Sequence, residues 1–301
     1  MHSILKSEEI CCSGIQLYYI HFYYKSSRYP MLCYKYRSVN QQTLEMLINR
    51  EVYFASPDQL NDPLDAKIDI NAHYQKIVRK YDPNISEEFN RKAFLLNLLN
   101  SKKVTLEDGT EKRLNDLVQE FITSLGIFSL SKTASDALLW SHYGGAHKGL
   151  CLEFESDEIS SKDVFSRGEI AYKQKPIYEE VFEELLLDFG NFVKPWEKDS
   201  SYSDEVADKF YTKQLSDLID ANLYVKSEKW KYEEEYRLVS NKAGKIKFNA
   251  SALKKIILGI HTSSYDINTI KNILTHPQYE HVKLMRVSKN PNGFDFNIVE
   301  I

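Results

Sequence analysis

Two stretches in which apolar residues recur at helical spacing, 72–125 and 177–227, interrupt a series of short segments that alternate as strands do. This order constrains the fold more than any single motif. A parallel α/β sheet needs strand and helix in regular turn, whereas here strands cluster, long helical runs intervene, and strands return. The expected class is α+β, a mostly antiparallel central sheet with long helical insertions.

The strand signals fall at 32–37, 52–55, 126–130, 150–154, 165–172, 235–239, 245–249, 253–259, 282–287 and 294–299. Asn40 reads as an N-cap for a short helix over 43–49, a short helix or turn is expected over 136–143, and a helix over 267–274. In the first long stretch Phe94, Leu95, Leu96, Leu98 and Leu99 form one apolar face. Leu114, Leu117, Phe121 and Ile122 form another, with a turn at Glu107-Asp108-Gly109 between them. The second stretch is carried by Phe182, Leu185, Leu186, Phe189, Phe210, Leu215, Leu218 and Leu223. Residues 1–30 differ in composition, rich in Tyr and Ser without a period, and a second methionine follows at Met31. They are expected to be an N-terminal appendage to a single domain over 31–301.

The formal charge of -4, with acids and bases interspersed, supplies no basic field and disfavours nucleic acid as a partner. The cysteines, Cys11, Cys12, Cys33 and Cys151, include no CxxC pair, so no metal and no disulfide framework is expected. No run of about 18 apolar residues occurs. The best candidate, 15–24, is broken by Gln16 and His21, and it lacks the basic cluster and cleavage site of a secretory signal. A cytoplasmic protein with reduced thiols and no membrane partner is the expectation.

Four polar blocks could carry chemistry. In Tyr34-Lys35-Tyr36-Arg37 the two cations share one strand face and could hold a phosphate or carboxylate. The block from Ser56 through Asn61-Asp62-Pro63 to Asp65 follows a strand directly, where scaffolds present polar groups; turn formation alone would also account for it. The block Trp140-Ser141-His142-Tyr143-Gly144-Gly145-Ala146-His147-Lys148-Gly149 holds two histidines whose i,i+5 spacing does not suit a metal on one helix face. Its glycines permit positive φ and close approach of a ligand. In Trp230-Lys231-Tyr232-Glu233-Glu234-Glu235-Tyr236-Arg237, a strand would put Glu233, Glu235 and Arg237 on one face, as a catalytic acid beside an arginine or as a structural ion pair.

As a set, in this order, the four blocks resemble the bacterial domain of unknown function family numbered 2971, over roughly 31–301. Leu60 and Leu64 depart from the family's frequent Phe beside Asn-Asp-Pro, a change of packing. The order of elements also resembles ADP-ribosyltransferases, which implies an NAD-dependent enzyme with NAD as substrate and no metal. Glu235, Glu233 and Arg37 would then be catalytic. Arg37 would hold the phosphate or ribose of NAD, and a glutamate would stabilise the oxocarbenium-like transition state. Tyr36, Ser56, Asn61, Asp62, Trp140, His142, Tyr143, His147 and Arg237 would bind a small-molecule substrate. The alternative is a non-enzymatic binding or effector module in which these residues are a scaffold of buried hydrogen bonds.

Overall fold

A computed structural model of the chain describes residues 31–69, 72, 103–105, 108–160, 162–175, 217 and 219–301. The chain divides into two compact units. The larger is built on an eight-stranded sheet. In chain order its strands are β1 (Leu32–Arg37), β5 (Gly126–Ser131), β6 (Leu150–Glu155), β7 (Val164–Glu169), β10 (Glu235–Ser240), β12 (Leu253–Leu258), β13 (Lys283–Lys289) and β14 (Phe296–Glu300). Across the sheet the order is β14-β13-β12-β6-β1-β5-β10-β7. Every neighbouring pair is antiparallel except β12 with β13. That parallel pair needs a crossover, which helix α4 (Ser264–Leu274) supplies. An α+β architecture with a mostly antiparallel sheet is thus observed.

Strand period explains why the sheet is buried on both faces. Leu150, Leu152 and Phe154 of β6 point into one core with Phe128, Leu238, Ile256 and Leu258, while Cys151 points to the other with Tyr36 and Ile257. Helix α1 (Gln41–Asn49) closes the first face through Met46 and Leu47. It starts where the sequence implies, with Asn40 Oδ1 accepting from Thr43 N at 2.9 Å. Helix α3 (Ala137–His142) closes the second face with Leu139 and Trp140. Each fully buried Leu or Phe here contributes about 1.5–3 kcal/mol of transfer energy.

Strands β1 and β5 pair only at Tyr34–Ser131. Farther along β5, Ala55 bridges Ile127, directly after β2 (Glu51–Phe54). In between, the Lys35 ammonium donates to the carbonyl of Ser129 at 2.7 Å. Strand β2 also pairs with β11 (Gly244–Lys247), and β8 (Ala171–Lys173) runs parallel to β9 (Val225–Ser227).

The smaller unit draws on residues 67–123 and 177–223. Its described part holds a hairpin of β3 (Lys103–Thr105) and β4 (Glu111–Arg113), helix α2 (Leu114–Ser124) as far as Thr123, and a helical end at 219–223. Ile68 N donates to Asn222 Oδ1 at 3.0 Å, and Leu117, Val118, Ile122, Ile219 and Leu223 are buried. The described residues of the two supposed helical stretches therefore hold a hairpin, one eleven-residue helix, a helical end at 219–223 and a strand, and these do not support long helical insertions. The turn at Asp108-Gly109 is the reason for the hairpin. Gly109 takes φ +81, and Asp108 Oδ1 accepts from Thr110 N, which folds the chain back into paired strands. Phe94 to Leu99 and Phe182 to Leu215 lie outside the described residues, as does the expected appendage 1–30. Among the described residues no helix is long and apolar enough to cross a membrane.

Candidate functional site

Three of the four polar blocks meet in the larger unit as an ionic network at the start of β10. Residues Glu228–Glu233 form a short 3-10 turn, closed by Glu234 in the left-handed region at φ 42, and only then does the strand begin. Glu233 is thus off the strand, contrary to the expected shared strand face with Glu235 and Arg237. The left-handed residue breaks the period-two pattern and delivers the Glu233 carboxylate by another path.

Arg237 is completely buried (0%) and Glu235 is 3% exposed. Their pairing is two-pronged: Arg237 Nε donates to Glu235 Oε1 at 2.6 Å and Nη2 donates to Oε2 at 3.1 Å. Arg237 Nη2 also donates to Asp65 Oδ2. Lys226, at the centre of β9, donates to Glu235 Oε2 at 3.0 Å and to Glu233 Oε2, and lies 3.5 Å from Asp65 Oδ2. Three carboxylates therefore surround two cations, all buried. The Tyr143 hydroxyl donates to Glu233 Oε1 at 2.5 Å and accepts from Asn61 Nδ2 at 3.0 Å. Glu235 N donates to the Tyr172 hydroxyl at 2.7 Å.

The electrostatics follow from this packing. Burial pushes the Glu235 carboxyl up, but the adjacent Arg237 and Lys226 charges outweigh it and hold the group at about 2. Lys226 and Arg237 shift upward for the converse reason: burial works against their charge, and the surrounding acids more than offset it. Burial, then the hydrogen bond to Glu233, raises Tyr143 far above its ordinary range. For Glu235, Lys226 and Arg237 the ionised form is held by its neighbours, and none of these three is poised to exchange a proton near neutral pH.

Asn61, Tyr143, Glu233, Glu235 and Arg237 are brought together. Asp62 stays in its own turn, where Oδ1 accepts from Leu64 N at 2.9 Å, and Ser56 N donates to Gln59 Oε1 at 3.0 Å in the turn Pro57–Gln59. Tyr36 and Trp140 are core residues. The Tyr36 hydroxyl donates to the Thr133 carbonyl, Trp140 Nε1 donates to the Ala134 carbonyl, and the two rings meet edge to face at 5.2 Å. His147 lies against Phe296 at 5.6 Å, its pKa pushed down by burial and by His261. His142 is exposed, with its ring 6.3 Å from Tyr143 and 6.2 Å from Tyr232.

Arg37 is apart from the network. The row Tyr34–Ser131–Glu235 puts those three residues on one face of the sheet, so Lys35 and Arg37 lie on the other. There Arg37 Nε reaches Thr43 Oγ1 at 3.4 Å, and neither Lys35 nor Arg37 has a carboxylate within ion-pair distance among the described residues. Burial, then the Arg37 charge, lowers the Lys35 ammonium to about 8.

Sequence patterns do not nominate Lys226 or Tyr172, whereas Asp65 and Tyr232 lie within two of the polar blocks without a role of their own. No periodicity marks Lys226, which reaches the network from its own short strand. Asp65 had a signal in its fixed place after the turn. No curated protein and no solved structure matches the chain. Residues 139–238, which carry the Trp140–Gly149 and Trp230–Arg237 blocks, match the family model for a protein of unknown function (DUF2971), and over that segment the chain is similar to the family its motifs resemble.

Proposed function

We propose that the chain is a non-enzymatic binding module whose polar motifs are structural. The observation that carries this reading is the state of Glu235. Both carboxylate oxygens accept from Arg237 or Lys226, and at 3% exposure the group is enclosed by its cations and does not open to a substrate ribose. The network fastens three separate pieces of chain, the loop ending at Asp65, strand β9 and the start of β10, onto the sheet. A buried network of this kind specifies one geometry when all its members are present, and punishes the loss of any one.

On this reading Glu235→Gln leaves Arg237 and Lys226 undercompensated, and urea unfolding at neutral pH registers a loss of about 3–5 kcal/mol. The unsubstituted chain, incubated with NAD and a lysate, neither consumes NAD nor transfers mass to a protein. A stable Gln variant together with NAD turnover by the parent would overturn the proposal.

One observation favours the transferase reading. Arg37 is half-buried, its guanidinium has no carboxylate partner among the described residues, and Lys35 lies on the same face, which is what holding a dinucleotide phosphate asks for. Against it stands the register that sets Arg37 and Glu235 on opposite faces. NAD turnover that is lost in Arg37→Met, with folding intact, would establish it.

A further inference from the structure

We propose that the row of rings formed by Trp230, Tyr232, His142 and Tyr143 binds the planar nitrogen heterocycle of a small molecule, which lies across the rings and is read at its edge by their unspent polar atoms. The proposal rests on the binding-module reading and names its ligand.

The rings follow one another at centroid separations of 6.1, 6.2 and 6.3 Å, tilted by 38°, 43° and 60°. Inserting a further ring between two of them would need about 7 Å, twice the ~3.5 Å contact distance of carbon atoms. A ligand therefore rests on the row and not within it. His142 is exposed and the other three are half-buried, so the row borders solvent.

The polar atoms mark the difference from packing aromatics. In the core, Trp140 Nε1 and the Tyr36 hydroxyl each spend their donor on a backbone carbonyl. In the row, Trp230 Nε1, the Tyr232 hydroxyl and both His142 ring nitrogens make no hydrogen bond among the described residues. Flat faces with free donors and acceptors at their rims are complementary to a heteroaromatic ring, which offers a π face and ring nitrogens.

The two ends of the row are also held in place before any ligand arrives. Tyr143 is fixed by Asn61 and Glu233, and the Lys226 ammonium sits 5.0 Å from the centre of the Trp230 ring. Such preorganisation lowers the ordering cost of binding. A small molecule fits better than a nucleic acid strand. Glu228, Glu233 and Glu234 oppose Lys229 and Lys231 along the turn, without the cationic excess that a phosphate backbone requires.

Saturation-transfer difference NMR on the full chain tests this, with adenosine as probe. Transfer to the adenine ring protons is expected, reduced at least about fivefold in Tyr232→Leu and in His142→Ala, the scale of one lost stacking partner. The Trp230 indole N–H resonance is expected to move during the titration. No transfer at millimolar adenosine, transfer unchanged in both variants, or displacement of adenosine by tetramethylammonium would each overturn the proposal. So would a single-stranded oligonucleotide that binds more than about tenfold tighter than adenosine. Should Tyr232→Leu not fold, the exposed His142→Ala change and the Trp230 resonance decide. Incubation of the same sample with NAD keeps the two readings apart: turnover counts against the binding module, whereas absent ring transfer counts against this ligand alone.

Discussion

Glu235 shows how a single carboxyl group can be read two ways from sequence and one way from its surroundings. A glutamate two residues before an arginine on a strand is compatible with catalysis or with pairing. Complete enclosure by Arg237 and Lys226 favours pairing and also sets an acid limit. A carboxyl group lowered from 4.5 to about 2 contributes stability that is fully present above pH 4.5 and is lost as pH falls towards 2. The shift corresponds to roughly 3 kcal/mol. Urea unfolding measured at intervals between pH 6 and 2 should therefore show a decline across this window that is shallower in Glu235→Gln than in the parent. Equal slopes would mean that other carboxyl groups govern acid unfolding. The residues of this network were legible only in part. Glu235, Arg237, Asn61 and Tyr143 lie in blocks with unusual polar density, whereas Lys226 joins through tertiary packing that no local pattern encodes.

At the scale of elements, alternation located β6, β10 and β12 to within a residue or two, because strands with at least one apolar face carry the period in their sequence. It failed for β3 and β4, which are three residues long and rich in charge, and for Glu233, where one left-handed residue at Glu234 resets the pattern. The Trp140–Gly149 segment gives the sharpest lesson. Its glycines signalled close approach, and close approach is observed, but to the protein itself. A Cβ on Gly149 would stand 2.1 Å from the Arg37 carbonyl oxygen, and one on Gly144 would stand 2.7 Å from the Trp140 ring. The loop is a clamp that seats β1 against α3. Gly149→Ala is expected to destabilise by about 1–3 kcal/mol, since the obstacle is backbone and cannot rotate away. Thermal melts of this variant beside Ala146→Gly, which relieves a positive φ of 52, should move in opposite directions.

For the molecule as a whole, the two described cysteines report on global opening. Cys33 and Cys151 are fully buried, on opposite faces of the sheet. Burial first, then nearby acids, pushes the Cys33 thiol up to about 12, and Cys151 is raised as well. Neither is expected to react with iodoacetamide while the chain is folded. Site-resolved mass spectrometry over a urea series should find both alkylated together at the unfolding midpoint; early labelling of one would reveal that its face of the sheet opens separately. The strand order carries a further consequence for synthesis on the ribosome. Strand β1 is made first among the eight, yet it stands between β6 and β5, and β6 in turn needs β12, roughly 100 residues later in the chain. A nascent chain cannot complete the centre of the sheet until β12, ending at Leu258, has left the exit tunnel. Until then β1 presents unpaired backbone, and its emergence into the cell is the interval in which a holding chaperone would matter most.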